Sequence, residues 1–425
     1  MKKIYVILSV LFLATVLCSC INQRKSSDIN IQNEEEQVVL TFFGNINATE
    51  KIRALEELIH DYMEEHPNVT IIYEGADATF TVDYNGLLRK RLSTGNGDDI
   101  MLSYAGYLPT LAREGYLARL DSLDSWKEYR EDDKSSLSVN NHYYGIPLER
   151  TVIGLYCNME LLQKYNLEVP GNYQELSEAC DILSKHGVIP ITASQLLPFS
   201  GYAYADGLSR LYRSEDAIQR VEQIGNGQQS PSQYFEEGFF YLSELLEKGY
   251  IDQNATLAAD NTEYAEKSFA NGECAFLLGA SDLNVSINHY NAALNYQIYP
   301  IPVSDGEGVV LTSPDHLLCV NENSKNRDTA IDFVNYCTRR EHIENYVARQ
   351  ESISPLKGDV TGSEHMKPVL ELISSGEQLP SVDYRMGIRL QNWVQQAGIS
   401  MLKGKAVPAC MRELDDLVNE ERSDE

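Results

Sequence analysis

The sequence predicts an α/β protein of two lobes, each a mostly parallel sheet flanked by helices, with a ligand cleft between them. Three observations carry that expectation. At 425 residues the chain exceeds what one ordinary hydrophobic core organises. Val38–Tyr73 reads as strand, helix and strand, the βαβ unit of a parallel sheet. His142–Tyr165, HYYGIPLERTVIGLYCNMELLQKY, reads as two short extended pieces, HYYGIP and TVIGLYCN, followed at once by an amphipathic helix. A strand that feeds a new helical layer is how a chain crosses between lobes.

The first residues stand apart from this fold. Lys2 and Lys3 precede an apolar run, Ile4–Leu17, that is short for a bilayer span and reads as a secretory signal over residues 1–19. The run closes on Leu17-Cys18-Ser19-Cys20, which resembles a bacterial lipobox with Cys20 as the lipidated residue; an ordinary cleaved signal with incidental cysteines is the alternative. Residues 20–37 are polar, with Ser26-Ser27 and Glu34-Glu35-Glu36, and are expected to form a disordered tether.

Val38–Phe43 is an apolar run suited to a buried first strand. Asn47 with Glu50 gives a capping signature for a helix carrying Ile52, Leu55, Ile59 and Met63 on one face. His66-Pro67 ends it, and Val69–Tyr73 is the second strand. Asp83–Ser93 repeats a helical period through Tyr84, Leu87, Leu88 and Leu92, and Gly95–Ser103 is a loop entering a strand. Asp98-Asp99 resembles half a metal site, but with no further ligand nearby, turn chemistry accounts for it. Tyr107–Gly115 reads as a helix.

Beyond the crossover, Tyr173–His186 is a helix and Gly187–Thr192 a strand, while Ser194–Tyr204 is a Pro/Gly/aromatic loop expected to line the cleft. Gln223–Pro231 has no apolar period and reads as a surface loop. Tyr234–Glu247 and Tyr264–Ala270 are helices, with Gly272 as the second one's cap and Cys274–Gly279 the strand beyond. Tyr296–Pro300 and His316–Val320 read as return strands, and Asp328–Arg339, His342–Arg349, Asp383–Leu402 and Pro408–Asn419 as helices.

The formal charge of −28 argues against nucleic acid or anionic lipid headgroups as partners and leaves a neutral solute compatible. Besides Cys18 and Cys20, the cysteines Cys157, Cys180, Cys274, Cys319, Cys337 and Cys410 sit in apolar periodic segments without metal-ligand or redox spacing, which favours buried free thiols. No phosphate-binding glycine loop, HExxH helix, GxSxG elbow or EF-hand loop is present, so no cofactor and no metal is expected.

The crossover, YGIP followed by GLYCN, ELLQKYNLEVP and GNYQEL, resembles the corresponding segment of the family 1 extracellular solute-binding proteins, the receptors that feed sugar-importing ABC transporters. REGYLARLD, KGYID, FANGECAFLLGASDL and NSKNRDTAIDFVNYCT extend the similarity over roughly Val38–Val418. Two departures stand out: Asp98 replaces a usual Pro, and Ser281-Asp282 stands where the family carries a Trp.

The resemblance implies a type II periplasmic-binding-protein fold, with residues 38–150 and 316–365 in the N-terminal lobe and 151–315 and 366–425 in the C-terminal lobe. It implies a monomeric, non-enzymatic lipoprotein, held to the cell membrane by Cys20 on its extracellular or periplasmic side. Its expected solute is a carbohydrate, an oligosaccharide, passed to the subunits of an ABC permease. An exported glycoside hydrolase using Glu149 and Asp282, or a solute sensor on the same fold, are the alternatives, although no motif fixes two carboxylates at working distance.

In open α/β lobes the ligand sits beyond the carboxyl ends of the strands. That rule selects Phe43 and Asn45, Tyr104, Glu149 and Arg150, Gln195, Asp282, and Asp315 with His316 at the return crossing. Each suits hydroxyl recognition or packing on a sugar's C–H face. Tyr202 and Trp393 add aromatic faces, with Tyr143, Tyr204 and Tyr384 as further tyrosines for that purpose. Structural roles compete. Phe43 continues an apolar run, Glu149 and Arg150 suit a mutual pair or a helix cap, His316 suits a satisfied histidine, and Trp393 on its helix suits the core.

Overall fold

Apolar, β-branched and aromatic runs make the strands of this protein, and the computed structural model describes residues 36–46, 49–76, 84–350, 352–358 and 362–423. Its strands are β1 (Val38–Gly44), β2 (Val69–Gly75), β3 (Ile100–Ser103), β4 (Ile146–Asn158), β5 (Ile189–Thr192), β6 (Cys274–Ala280), β7 (Tyr296–Tyr299), β8 (Leu311–Val320) and β9 (Leu379–Pro380). They join one mixed sheet in the order β2-β1-β3-β8-β4-β6-β5, with β7 beside β4 and β9 beside β8. The β1–β2, β1–β3 and β5–β6 pairs are parallel. The long β4–β8 pair is antiparallel and runs from Ile146↔Leu318 to Ile153↔Leu311.

That pair is where two halves meet. Ile146 and Leu148 join an apolar cluster with Phe42, Leu102, Leu318 and Phe333 in the first half. Farther along β4, Ile153, Leu155 and Cys157 face a second cluster with Phe199, Phe239 and Val394, while Val152 and Tyr156 face a third with Phe269, Tyr296 and Met366. Alternate residues of one strand thus enter two cores. β4 is covered on both faces, which is why its sequence is apolar on either side of the polar triplet Glu149-Arg150-Thr151.

The crossover is more continuous than its two-piece pattern suggests, since Ile146–Asn158 forms a single strand and only the short helix Met159–Lys164 follows. Asn158 caps that helix, accepting from the backbone N–H groups of Glu160 and Leu161 at 3.1 Å each. Ser194–Tyr204 is not a loop. The helix Leu197–Tyr212 begins there, with Pro198 in its first turn, where a missing N–H costs nothing. It is buried nearly all round, so it lacks the polar face that makes a helix recognisable in sequence.

The helix Ala217–Gly225 likewise takes the start of the expected 223–231 loop, and the Tyr107–Gly115 segment forms a 3-10 turn, Ala105–Tyr107, followed by the helix Leu108–Arg113. His316 lies inside β8 rather than at its start. Asp98 bonds Arg91 at 3.0 Å, and Asp99 accepts from the Thr41 N–H at 2.8 Å and the Ser324 hydroxyl at 2.5 Å, so both serve the loop and not a metal. The six cysteines from Cys157 to Cys410 are buried and free. Cys20 with its signal and tether, the Asn47 cap and Asp83 lie outside the described residues. Among the described residues no helix is long and apolar enough to cross a membrane.

Candidate functional site

Strand alternation decides which side chains of the β4–β8 pair reach the groove between the halves. Glu149, Thr151 and Ile153 on β4, with Ser313 and Asp315 on β8, line two cavities there. One, of about 400 Å³, lies against the helix Leu197–Tyr212 and the segment 380–392. The other, of about 470 Å³, lies against residues 261–266 and 281–286. Tyr104, Thr151 and Asp315 line both, so the two form one cleft with these residues at its waist.

The waist is held by bonds between strands. Thr151 Oγ1 donates to Asp315 Oδ2 at 2.8 Å, and the His316 N–H donates to Asp315 Oδ1 at 2.8 Å, which fixes the carboxylate by both oxygens. Asn45, just past β1, donates to the Tyr104 hydroxyl. Burial, with the charges of Asp315 and Asp282 close by, pushes the Tyr104 hydroxyl well above the ordinary tyrosine range, so it stays protonated and keeps its donor.

His316 breaks the strand's regularity. Its φ of 45° is left-handed, a conformation that costs a non-glycine residue about 1–2 kcal/mol, and the ladder is interrupted opposite Leu148. An unbroken strand would turn residue 316 away from Asp315. Here the imidazole Nδ1 meets Glu149 Oε1 on the cleft side, and both residues line the second cavity. Ser352, 6% exposed, lines the same cavity, and its hydroxyl has no hydrogen-bond partner among the described residues.

Of the residues selected from sequence, Asn45, Tyr104, Glu149, Asp282, Asp315 and His316 converge on the cleft. The other five do not line it. Phe43 is fully buried, stacks on Tyr84 at 5.2 Å and carries the Arg91 guanidinium over its face at 3.8 Å, so it belongs to the core as its apolar run allowed. Arg150 alternates to the face opposite Glu149. Its Nη1 lies 3.0 Å from Asp132 and 3.0 Å from Asp133, and its Nη2 donates to Thr312 at 2.8 Å. Neither Glu149 nor Arg150 pairs with the other.

Gln195 is spent on the chain's own backbone, bonding Ala259 O through its N–H at 2.9 Å and Leu257 O through its side chain at 2.5 Å. Tyr202 is buried in the second core. Trp393 donates from Nε1 to Glu421 at 2.5 Å and packs on the second core. Tyr143 packs at 4.4 Å on Trp126, and only Tyr204 among the additional tyrosines lines the cleft; the Tyr384 side chain lies outside the described residues.

Sequence reasoning missed Thr151, whose role follows from an odd-numbered position on the crossing strand. It also missed Tyr212, Val382, Met386 and Ile388, which reach the first cavity from the helix Leu197–Tyr212 and from 380–392. Ser281, in the place of the family's Trp, is tied to β4: its N–H donates to Val152 O at 2.7 Å and its hydroxyl accepts from the Val152 N–H at 3.2 Å.

Comparison with known proteins agrees with this fold. A Multiple sugar-binding protein of Streptococcus mutans serotype c is 22% identical over 368 residues, spanning 83% of this chain and 82% of its own. The apo-form of RafE from Streptococcus pneumoniae shares the fold with a TM-score of 0.71 at 18% identity, covering 94% of this chain and 99% of that one. A Bacillus licheniformis sugar transporter in complex with stachyose does so with a TM-score of 0.71 at 16% identity, covering 89% and 98%. The pattern described as Bacterial extracellular solute-binding protein matches residues 46–342, taking in β2 through β8 and the crossing between the halves, and the chain belongs to that family.

Proposed function

We propose that the protein captures a carbohydrate, an oligosaccharide, in the cleft across β4–β8 and releases it unchanged to the permease of an ABC importer. The observation that carries this reading is the shared waist: Tyr104 from the first half, with Thr151 and Asp315 on the crossing strands, borders both cavities. A fixed carboxylate and a protonated phenol there supply an acceptor and a donor for neighbouring hydroxyls. Asn45, Glu149, Asp282 and His316 extend the polar set.

Three similar proteins support the solute class: one is a Multiple sugar-binding protein, one is RafE in complex with raffinose, and one is a chitin oligosaccharide binding protein. Separate apolar clusters on either side of the crossing support two bodies that close on the solute, with Ile353, Ser363 and His365 packed on the second body against Tyr296 and Asn284, and we take the receptor to act as a monomer. Lipidation at Cys20 would hold this receptor at the membrane, facing outward, beside the permease. A thermal-shift screen of mono- and oligosaccharides tests the reading: a solute at a hundredfold its Kd adds about 2.7 kcal/mol to the folded state, and no shift with any sugar would contradict it.

A further inference from the structure

The two cavities that meet at Tyr104, Thr151 and Asp315 differ in chemistry, and we propose that the solute is a sugar bearing an apolar substituent, an aryl or alkyl group, which occupies the cavity against the helix Leu197–Tyr212. This rests on the reading that the cleft binds a carbohydrate. Away from the waist, that cavity is bordered by Ile153, Leu197, Leu208, Val382, Met386 and Ile388.

Its tyrosines and ionic groups are engaged by the protein itself. The Tyr204 hydroxyl donates to Ser381 O, and the Tyr212 hydroxyl donates to Asp383 Oδ2 at 2.7 Å. Arg385 Nε bonds Asp383 Oδ1 at 2.9 Å, and Arg389 Nε bonds Glu421 at 2.6 Å. With their hydroxyls committed, Tyr204 and Tyr212 offer rings. The other polar side chains on this side, Asn85, Tyr107, Ser313, Ser381, Gln391 and Asn392, are uncharged, and Asn85 Oδ1 is buried with no hydrogen-bond partner among the described residues.

Aromatic faces alone would suit a stacked sugar ring. Six aliphatic side chains do not, because sugar hydroxyls set against them give up water without replacement. An apolar group gains by the same transfer, and about 400 Å³ has room for a ring. The second cavity carries more ionic side chains, with Glu149, Glu266, Asp282 and His316 among its lining, and suits the glycan end.

The test is calorimetric titration of the full chain in detergent with paired probes: methyl and 4-nitrophenyl glycosides matched in sugar and anomer, across glucosides, galactosides and xylosides. The nitrophenyl member of a binding pair is expected to bind about tenfold tighter or more. Ile388→Asp and Val382→Asp, both at half-buried positions that tolerate a polar side chain better than the core does, should bring that ratio towards one. Equal affinity within every binding pair overturns the apolar subsite and leaves carbohydrate capture standing. Failure of both members of every pair, together with every free oligosaccharide, overturns both.

Discussion

Arg150 Nη1 lies 3.0 Å from Asp133 Oδ1, and both side chains are buried beside the strand that joins the two halves. The pair links β4 to the helix Glu131–Leu137, and the same guanidinium reaches Thr312 on β8. Burial raises the Asp133 carboxyl from 3.8 to about 7, against the pull of Arg150 and with the Asp132 charge adding to the rise. The folded protein therefore holds this proton over a range where the unfolded chain has lost it. The group's contribution to stability is present below pH 4 and falls as pH rises to about 7, with a slope of at most about 1.4 kcal/mol per pH unit. Urea unfolding across that range should show the decline in the native protein relative to Asp133→Asn; parallel curves would contradict it.

Removing the cation is the harsher change. Arg150→Met removes the guanidinium's contacts with Asp132, Asp133 and Thr312 and, above about pH 7 where Asp133 is ionised, leaves that carboxylate buried without its counter-charge, a loss of about 3–5 kcal/mol. The urea midpoint should fall accordingly, and Asp133→Asn in the same chain should recover part of the loss.

His316 separates backbone from ring. Its φ of 45° is open to glycine without strain, so His316→Gly should leave stability within about 1 kcal/mol of the native protein. It should still weaken solute affinity roughly tenfold, through the lost contact with Glu149. His316→Ala should lose affinity and stability together. Titration calorimetry beside urea unfolding distinguishes the two, and unchanged affinity in both variants would remove the imidazole from the site.

Gly238 marks where the helix Ser232–Glu247 meets the helix Leu197–Tyr212. A Cβ there would stand 2.8 Å from Ala203 Cα and 2.8 Å from Ala203 O, too close for backbone that cannot swing aside. Gly238→Ala should destabilise by about 1–3 kcal/mol in urea unfolding, and a neutral result would contradict the close approach of the two helices.

The parts legible in sequence were those with one exposed face or one uninterrupted apolar run. β1, β2 and β6 were readable from VVLTFFG, VTIIYEG and CAFLLGA, and the helix Tyr173–Lys185 from its buried Leu176, Ala179, Cys180 and Leu183. The helix Leu197–Tyr212 was not, because burial on all sides removes the polar period and its Pro198, Gly201 and Gly207 imitate a loop. Within the site, strand ends pointed to Asn45, Tyr104 and Asp282, which all line the cleft, although Tyr104 also packs on the first core. The same rule overreached at Phe43, a strand-end position that faces the core, and at Arg150, which lies inside the continuous strand β4 and faces away from the cleft. Val382, Met386 and Ile388 were hidden for a different reason: the helix expected over Asp383–Leu402 begins only at Leu390, and the stretch before it, with a 3-10 turn at Tyr384–Met386, reaches the cleft by tertiary packing.

A calorimetric titration of native protein and Asp315→Asn against mono- and oligosaccharides tests directly whether this cleft grips a carbohydrate through its waist. Saturable, one-to-one binding of at least one sugar is expected, weakened about tenfold or more when the carboxylate held by Thr151 and the His316 N–H becomes an amide. Folded native protein that binds no sugar, or an Asp315→Asn variant that binds the same sugar equally well, would contradict it.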